Sequence, residues 1–166
     1  MSSFIDVLDE RAFISQTTDH EALKELFSKE KVIAYVGFDA SADSLHVGNL
    51  LQLIALSHLQ KLGHHPVAII GGATTMIGDP SGKTEMRKML TKDEIDNNLL
   101  KIKKQLTHFL DFSPSLSNKA IILNNADWFV DYKYIDFLRD VGRHFSVNRM
   151  LTQDSVKLRM ETGISF

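Results

Sequence analysis

The sequence predicts an α/β fold: about three parallel strands forming the first half of a doubly wound sheet, with helices before and between them. Three observations lead there. The first is Val32-Ile-Ala-Tyr-Val-Gly-Phe38, a β-branched apolar run that passes through a small-residue, acidic loop, residues 39–45, into His46-Val-Gly-Asn49 and a helical stretch, Leu50–Leu62. The second is the apolar run Val67–Ile70, closed by Gly71-Gly72. A crossover helix between two parallel strands is right-handed almost always, so these two runs read as one strand–helix–strand unit. The third is Ala120–Asn125, after a second long helical pattern.

The elements follow in order. Apolar Phe4, Ile5, Leu8 and Ala12 mark a short amphipathic helix within residues 4–13. Thr18 with Glu21 forms a capping-box pattern for a second helix that carries Leu23, Leu26 and Phe27 on one face. The helix after His46 has apolar Leu50, Leu53, Ile54, Leu56 and Leu59, which suits burial against a sheet, and Gly63 reads as its stop. His64-His65-Pro66 reads as a solvated turn, since no third ligand nearby supports a metal site. Residues 73–83 read as a Gly-, Thr- and Pro-containing loop. It ends on Gly82-Lys83, yet the glycine a phosphate-binding P-loop needs five residues earlier is Ile77, so that reading fails. Thr91 and Glu94 open a helix to about Phe109, with Ile95, Leu99, Ile102 and Leu106 on one face. After the third strand come a helix over 134–141 closed by Gly142, a loop or short helix at 146–150, and a last helix over 153–161. Three segments result: helical 1–30, a sheet half-domain 31–125, and a helical connective or interface segment 126–166.

Composition sets the class. A chain of 166 residues fits one domain. With 43% hydrophobic and 24% charged residues it reads as soluble and globular. A net charge of −2 is too balanced for a surface devoted to neutralising phosphates. There is no cysteine, so neither a disulfide framework nor a thiolate metal site is available, which fits a cytoplasmic setting. The first ten residues carry three acids and no base, unlike a targeting peptide. No apolar stretch approaches the ~20 residues that span a bilayer.

The first strand-to-helix junction is the expected site. Open α/β sheets bind ligands at the carboxyl ends of their strands. The N-terminus of the following helix offers unpaired N–H groups and a positive dipole end, which suits phosphate. Gly48, without a Cβ, allows a ligand close to the backbone, and His46 can donate a hydrogen bond to phosphate.

At these residues the chain resembles the class I aminoacyl-tRNA synthetases. His46-Val-Gly-Asn49 is similar to their His-x-Gly-His/Asn motif, and the flanking blocks Tyr35-Val-Gly-Phe-Asp39 and Gly71-Gly-Ala-Thr-Thr-Met-Ile-Gly-Asp-Pro-Ser-Gly-Lys83 resemble the tyrosine-specific branch. The resemblance implies a Rossmann-like fold and activation of L-tyrosine by ATP for transfer to tRNA(Tyr). Magnesium is expected only on the ATP phosphates, with no tightly bound protein metal. The partners implied are tyrosine, ATP and tRNA(Tyr), in a homodimer and without a membrane.

Residue by residue, the resemblance assigns His46, Asn49, Lys83 and Arg87 to catalysis, the last two as a cationic clamp on pyrophosphate. Gly37, Asp39, Ser41, His46, Gly48 and Asn49 bind ATP. Tyr35, Ile69, Thr74, Asp79 and Asn125 bind tyrosine: Tyr35 reads the phenol from the end of a buried strand, and Asp79 takes the α-ammonium. Asn49 stands where many relatives have a second histidine, and Val36 where many have a hydrogen-bonding side chain. The family's second half-sheet, its Lys-Met-Ser-Lys-Ser-type loop and its anticodon-reading parts would lie beyond Phe166, so the chain alone is expected to be a weak catalyst. Two alternatives stand beside this. Small-molecule adenylyltransferases also use a His-x-Gly-His motif, with a Gly-x-Phe-Asp-Pro lead-in to which Gly37-Phe-Asp39 is similar, but here six residues separate Asp39 from His46. A non-catalytic dimerisation or binding module would use Phe137, Leu138, Val141, Phe145 and Phe166 as an apolar face.

Overall fold

The computed structural model describes residues 3–77, 90–153, 156, 157, 160 and 163. Two short helices come first, α1 (Phe4–Glu10) and α2 (His20–Lys29). The α2 start differs from the Thr18–Glu21 expectation. Asp19 is the N-cap, accepting from the Ala22 N–H at 3.0 Å. A carboxylate caps better than threonine and carries the charge the helix dipole favours.

The sheet holds β1 (Ile33–Asp39), β2 (His65–Gly71) and β3 (Ile121–Asn124), all parallel, in the order β1-β2-β3. The crossover from β1 to β2 is α3 (Val47–Lys61), and Gly63, at φ 88°, ends it. Between β2 and β3 lie α4 (Gly72–Ile77) and α5 (Lys92–Leu106). The first part of the expected loop from Ala73 is thus helical. Thr91 and Glu94 close the capping box on α5, with Glu94 Oε2 accepting from the Thr91 N–H at 2.7 Å. This helix stops three residues short of Phe109, and Leu110 is buried in its place. Beyond β3 come α6 (Ala126–Phe129), α7 (Tyr134–Asp140), a single 3₁₀ turn (Gly142–His144) and α8 (Val147–Leu151). Most of the helix expected over 153–161, and Phe166, lie outside the described residues.

The core lies on one face of the sheet. Phe38, Ala68 and Ile70 point into it and meet Leu53, Leu56 and Leu59 of α3 and Ile95, Leu99, Ile102 and Leu106 of α5. Each such side chain contributes roughly 1.5–3 kcal/mol on burial. Phe4, Ile5 and Phe27 extend the cluster to α1 and α2. The opposite face is different. Register pairs Tyr35 with Val67 and Val67 with Ile121, and on that face Ile33, Tyr35, Ile121 and Leu123 are exposed. The expectation of a buried first strand with Tyr35 at its end is corrected: among the described residues β1 is covered on one side only, and Tyr35 is its third residue.

His64 and its neighbours are a second correction. His65 and Pro66 begin β2, and His64 is only 6% exposed. Its ring meets Phe27 edge-on at 5.0 Å between centroids and lies 6.3 Å from Phe4. Its Nδ1 accepts from the Val32 N–H at 3.2 Å, and its carbonyl accepts from Asn118 Nδ2 at 3.0 Å. Loss of water around the imidazole holds its pKa below the ordinary value.

Candidate active site

His46 is the N-cap of α3. Its Nδ1 accepts from the Gly48 N–H at 3.1 Å, and the His46 N–H donates to Asn49 Oδ1 at 3.2 Å. Two of the four orphan donors of the helix start are thereby satisfied. An accepting Nδ1 carries no proton, so in the neutral ring the proton is on Nε2, on the far side of the imidazole from the cap. The ring is exposed, and Nε2–H is the edge it can offer to a ligand. Gly48 has a local reason to be glycine: a Cβ there would stand 2.9 Å from His46 Cε1 and 3.0 Å from Nδ1. The missing side chain makes room for the ring. Asn49 has its oxygen committed to the cap, and its NH₂ remains the donor.

The loop before the helix is held from below. The Ala40 N–H donates to Thr75 Oγ1 at 3.1 Å, and Ala40 is fully buried. Ser41 stands exposed beside it. Gly37, Asp39 and Ile69 share the open face of the sheet with Tyr35, since Gly37 pairs with Ile69 and Asp39 with Gly71. Tyr35 is 71% exposed, so the expected phenol pocket has a floor of strands and no roof among the described residues. A Cβ on Gly37 would meet no atom of the described residues within 4 Å. Nothing within the described fold requires a glycine there.

Thr74 and Asn125 meet at the carboxyl end of β2. Asn125 is 7% exposed. Its Oδ1 accepts from the Ala73 N–H at 2.8 Å, and its Nδ2 donates to Thr74 Oγ1 at 3.1 Å. Its amide therefore holds Thr74 in place. Asn124 works beside it: its Oδ1 accepts from the N–H groups of Gly72 at 3.2 Å and Ala126 at 3.1 Å. A Cβ on Gly72 would run into that amide. Asp79, Lys83 and Arg87 lie outside the described residues.

Sequence reasoning missed Thr75, Asn124 and the polar residues of α5 that reach this loop. Their partners are distant in the chain, and asparagine or glutamine on a helix gives no signal of its own. Among the described residues, no group of three or more His, Cys, Asp or Glu side chains could hold a metal ion. No helix among them is long and apolar enough to cross a membrane. An open groove of about 610 Å³ between α1 and α2 is lined by four acids, Asp6, Asp19, Glu21 and Glu25, with one base, Lys24. That lining repels phosphate.

Comparison with known proteins points the same way as the β1–α3 junction. The family of class I tRNA synthetases described as W and Y matches residues 28–166. Tyrosine–tRNA ligases of Acetivibrio thermocellus and Clostridium botulinum are each 54% identical over the whole chain. The chain spans 40% of the length of each of these curated relatives. A crystal structure of a C-terminally truncated mitochondrial tyrosyl-tRNA synthetase from Aspergillus nidulans superimposes with a TM-score of 0.85 at 29% identity, over all of this chain and 50% of that one. With a histidine-capped helix at the carboxyl edge of a parallel sheet and a match over most of its length, the chain belongs to the class I tRNA synthetases of the tryptophan and tyrosine type.

Proposed function

We propose that the chain carries part of the amino-acid-activating site of a tyrosine–tRNA ligase. ATP, as its magnesium complex, lies along the carboxyl end of β1 and the start of α3. Tyrosine lies on the open face beside Tyr35. A carboxylate oxygen of tyrosine attacks the α-phosphorus of ATP. The bond to the bridging oxygen of the β-phosphate breaks, and pyrophosphate leaves with the electron pair. A terminal ribose hydroxyl of tRNA(Tyr) then attacks the tyrosyl carbonyl, loses its proton, and AMP departs. No covalent enzyme intermediate is required, so the protein supplies position and charge.

In this reading His46 donates through Nε2–H as negative charge builds on the phosphates, and Asn49 adds a neutral N–H donor. Gly37 and Asp39 lie against the adenylate and its ribose, with Ser41 near the phosphates. Tyr35 hydrogen-bonds the substrate phenol, and Thr74 and Ile69 line the ring's seat. Asp79 pairs with the ammonium group, and Lys83 and Arg87 neutralise the leaving pyrophosphate. The setting is the cytoplasm. The second proposal is a homodimer, supported by exposed apolar side chains beyond β3, among them Trp128, Ile135, Leu138 and Phe145.

One observation carries the reading: Gly37, a glycine with no steric partner among the described residues, lies in the same strand as Tyr35, and that strand runs into the loop that ends at His46. The test uses a non-hydrolysable tyrosyl-adenylate analogue and the amide spectrum of the labelled chain. Shifts gathered at Tyr35, Gly37, Ser41 and Gly48 are expected. Shifts confined to α1, α2 or α8 would defeat the proposal, as would none at saturating analogue. Sedimentation against concentration tests the dimer, and a monomer at high concentration in the protein at its full natural length would remove it.

A further inference from the structure

We infer that Asn98, Lys101 and Gln105 of α5 are positioning residues for the nucleotide cradle, holding the β1–α3 loop in the shape that aims His46. The inference rests on the nucleotide reading of that junction and goes beyond the residues it assigns.

The β1–α3 loop, residues 40–45, has no regular structure, so its backbone groups need partners from elsewhere. Asn98 Nδ2 donates to the Ala40 carbonyl at 2.9 Å. Gln105 Nε2 donates to the Asp43 carbonyl at 3.1 Å, and Gln105 Oε1 accepts from the Leu45 N–H at 3.0 Å. Lys101 Nζ donates to Asp43 Oδ2 at 2.9 Å. The Lys101 ammonium thereby keeps the Asp43 carboxyl below its usual range. Leu45 directly precedes the His46 cap, so the Gln105 bond sets the backbone from which the imidazole leaves.

The spacing explains why one helix can do this. Residues 98, 101 and 105 follow the i, i+3, i+7 pattern and form one stripe along α5. That stripe borders the buried one, Ile95, Leu99, Ile102 and Leu106, which fixes the helix to the core. The loop is therefore referenced to the rigid part of the molecule and not to itself. A primary amide suits the task because one side chain offers both an acceptor and a donor, and Gln105 uses both. The three contributions are unequal. The Lys101–Asp43 pair is exposed and is worth little by itself. The part-buried amide bonds, Asn98 to the Ala40 carbonyl and the Leu45 N–H to Gln105, matter more.

A residue that merely stabilises the fold affects every ligand alike. A residue that shapes the loop affects ATP and spares tyrosine, whose proposed seat is on the sheet face. The experiment compares the 166-residue chain with Gln105→Met, Gln105→Glu and Asn98→Leu by calorimetric titration with ATP and, separately, tyrosine, recording thermal melts alongside. Gln105→Met is expected to weaken ATP about five- to tenfold, the usual effect of lost hydrogen bonds, with tyrosine unchanged within twofold. Gln105→Glu keeps the acceptor for Leu45 and is expected to recover part of that loss. Equal ATP affinity in wild type and Gln105→Met overturns the inference and leaves the nucleotide reading standing. Equal weakening of both ligands also overturns it, since that is a purely structural effect. A wild-type chain that binds no ATP overturns inference and reading together. Amide exchange in the wild type is independent of whether any variant folds. The Leu45 amide is expected to exchange slower than those of Ser41 and Ser44, and exchange at the rate of a free peptide overturns the clamp.

Discussion

Replacing Gly37 with alanine separates the needs of the fold from the needs of a ligand. Gly37 is the fifth residue of β1, paired with Ile69, and a Cβ on it meets nothing within 4 Å among the described residues. Glycine in a strand interior costs roughly 0.5–1 kcal/mol relative to alanine, through the freedom it loses on folding. Gly37→Ala should therefore stabilise the chain by about that amount, raising Tm by about 1–4 °C at this size. The added methyl group stands on the open face, where an adenylate on β1 would touch the backbone. Carbon atoms pack at about 3.5–4.0 Å, so a ligand seated on the glycine must withdraw by about one bond length. Misplacement on the scale of ~1 Å costs up to about a hundredfold in reaction rate. The assay pairs a thermal melt with titration of a tyrosyl-adenylate analogue. A higher Tm with affinity lowered at least tenfold is the expected result. A higher Tm with unchanged affinity refutes the claim that the glycine serves a ligand.

Four further expectations follow from other contacts. Gly48→Ala pushes a methyl group into the His46 ring, so Nδ1 loses its bond to the backbone; the ring's proton and carbon resonances should show several orientations, and a single unchanged set refutes this. Asn49→Asp keeps the cap on the His46 N–H and suits the helix dipole, yet it replaces a donor with a charge that repels phosphate; melts should hold steady or rise while ATP affinity falls about tenfold or more, and unchanged ATP affinity removes Asn49 from the phosphate site. His64 is buried and uncharged, with its pKa depressed, so below about pH 6.5 the unfolded chain binds the proton more readily and stability falls as pH drops towards the folded value. His20 works oppositely, since its bond to Asp9 raises its pKa, and that stability is present at low pH and lost on the alkaline side. His64→Gln, which keeps an acceptor for Val32, should flatten the acid limb of the melting curve, and an unchanged slope between pH 7 and 5 refutes the assignment. Ala12, at φ 54°, adopts a left-handed conformation, so Ala12→Gly should stabilise by roughly 0.5–1 kcal/mol in a denaturant titration, and a loss of stability refutes the strain.

The parts of the fold legible in the sequence are those whose cause is local. The Thr91–Glu94 box and the Gly63 stop are decided within a few residues, and the structure keeps both. The strand–helix–strand unit follows from pattern lengths and the handedness of crossovers. What failed was decided at a distance. His64 reads as a turn residue, yet Phe4 and Phe27, packed over it from α1 and α2, bury it. The β-branched, apolar run of β1 makes it read as a buried strand, as parallel strands usually are. In the described fold only Ala34, Val36 and Phe38 turn towards the core, while Ile33 and Tyr35 stay open. The bonds of Asn125 to Ala73 and Thr74 are equally illegible in the sequence, because that pairing depends on how α4 leaves the sheet.

The junction also shows why one motif can serve structure and chemistry together. A helix start needs acceptors for its first N–H groups, whereas a phosphate needs donors. An aspartate cap would satisfy the helix and leave no donor facing outward. Histidine resolves the conflict, because its two nitrogens have opposite roles in the neutral ring. With Nδ1 accepting from Gly48, the cap itself dictates that the proton sits on Nε2. Asn49 repeats the arrangement with an amide, its oxygen turned to the helix start and its NH₂ left over. Both side chains are immobilised through the end that serves the fold, so the donor end is oriented before any ligand arrives. Electrostatic stabilisation depends on that kind of preorganisation, since donors that must turn at the moment of reaction give back much of what they gain. Gly48 belongs to the same device: it admits the ring that caps its own N–H, and without that space the imidazole could not be both anchor and donor.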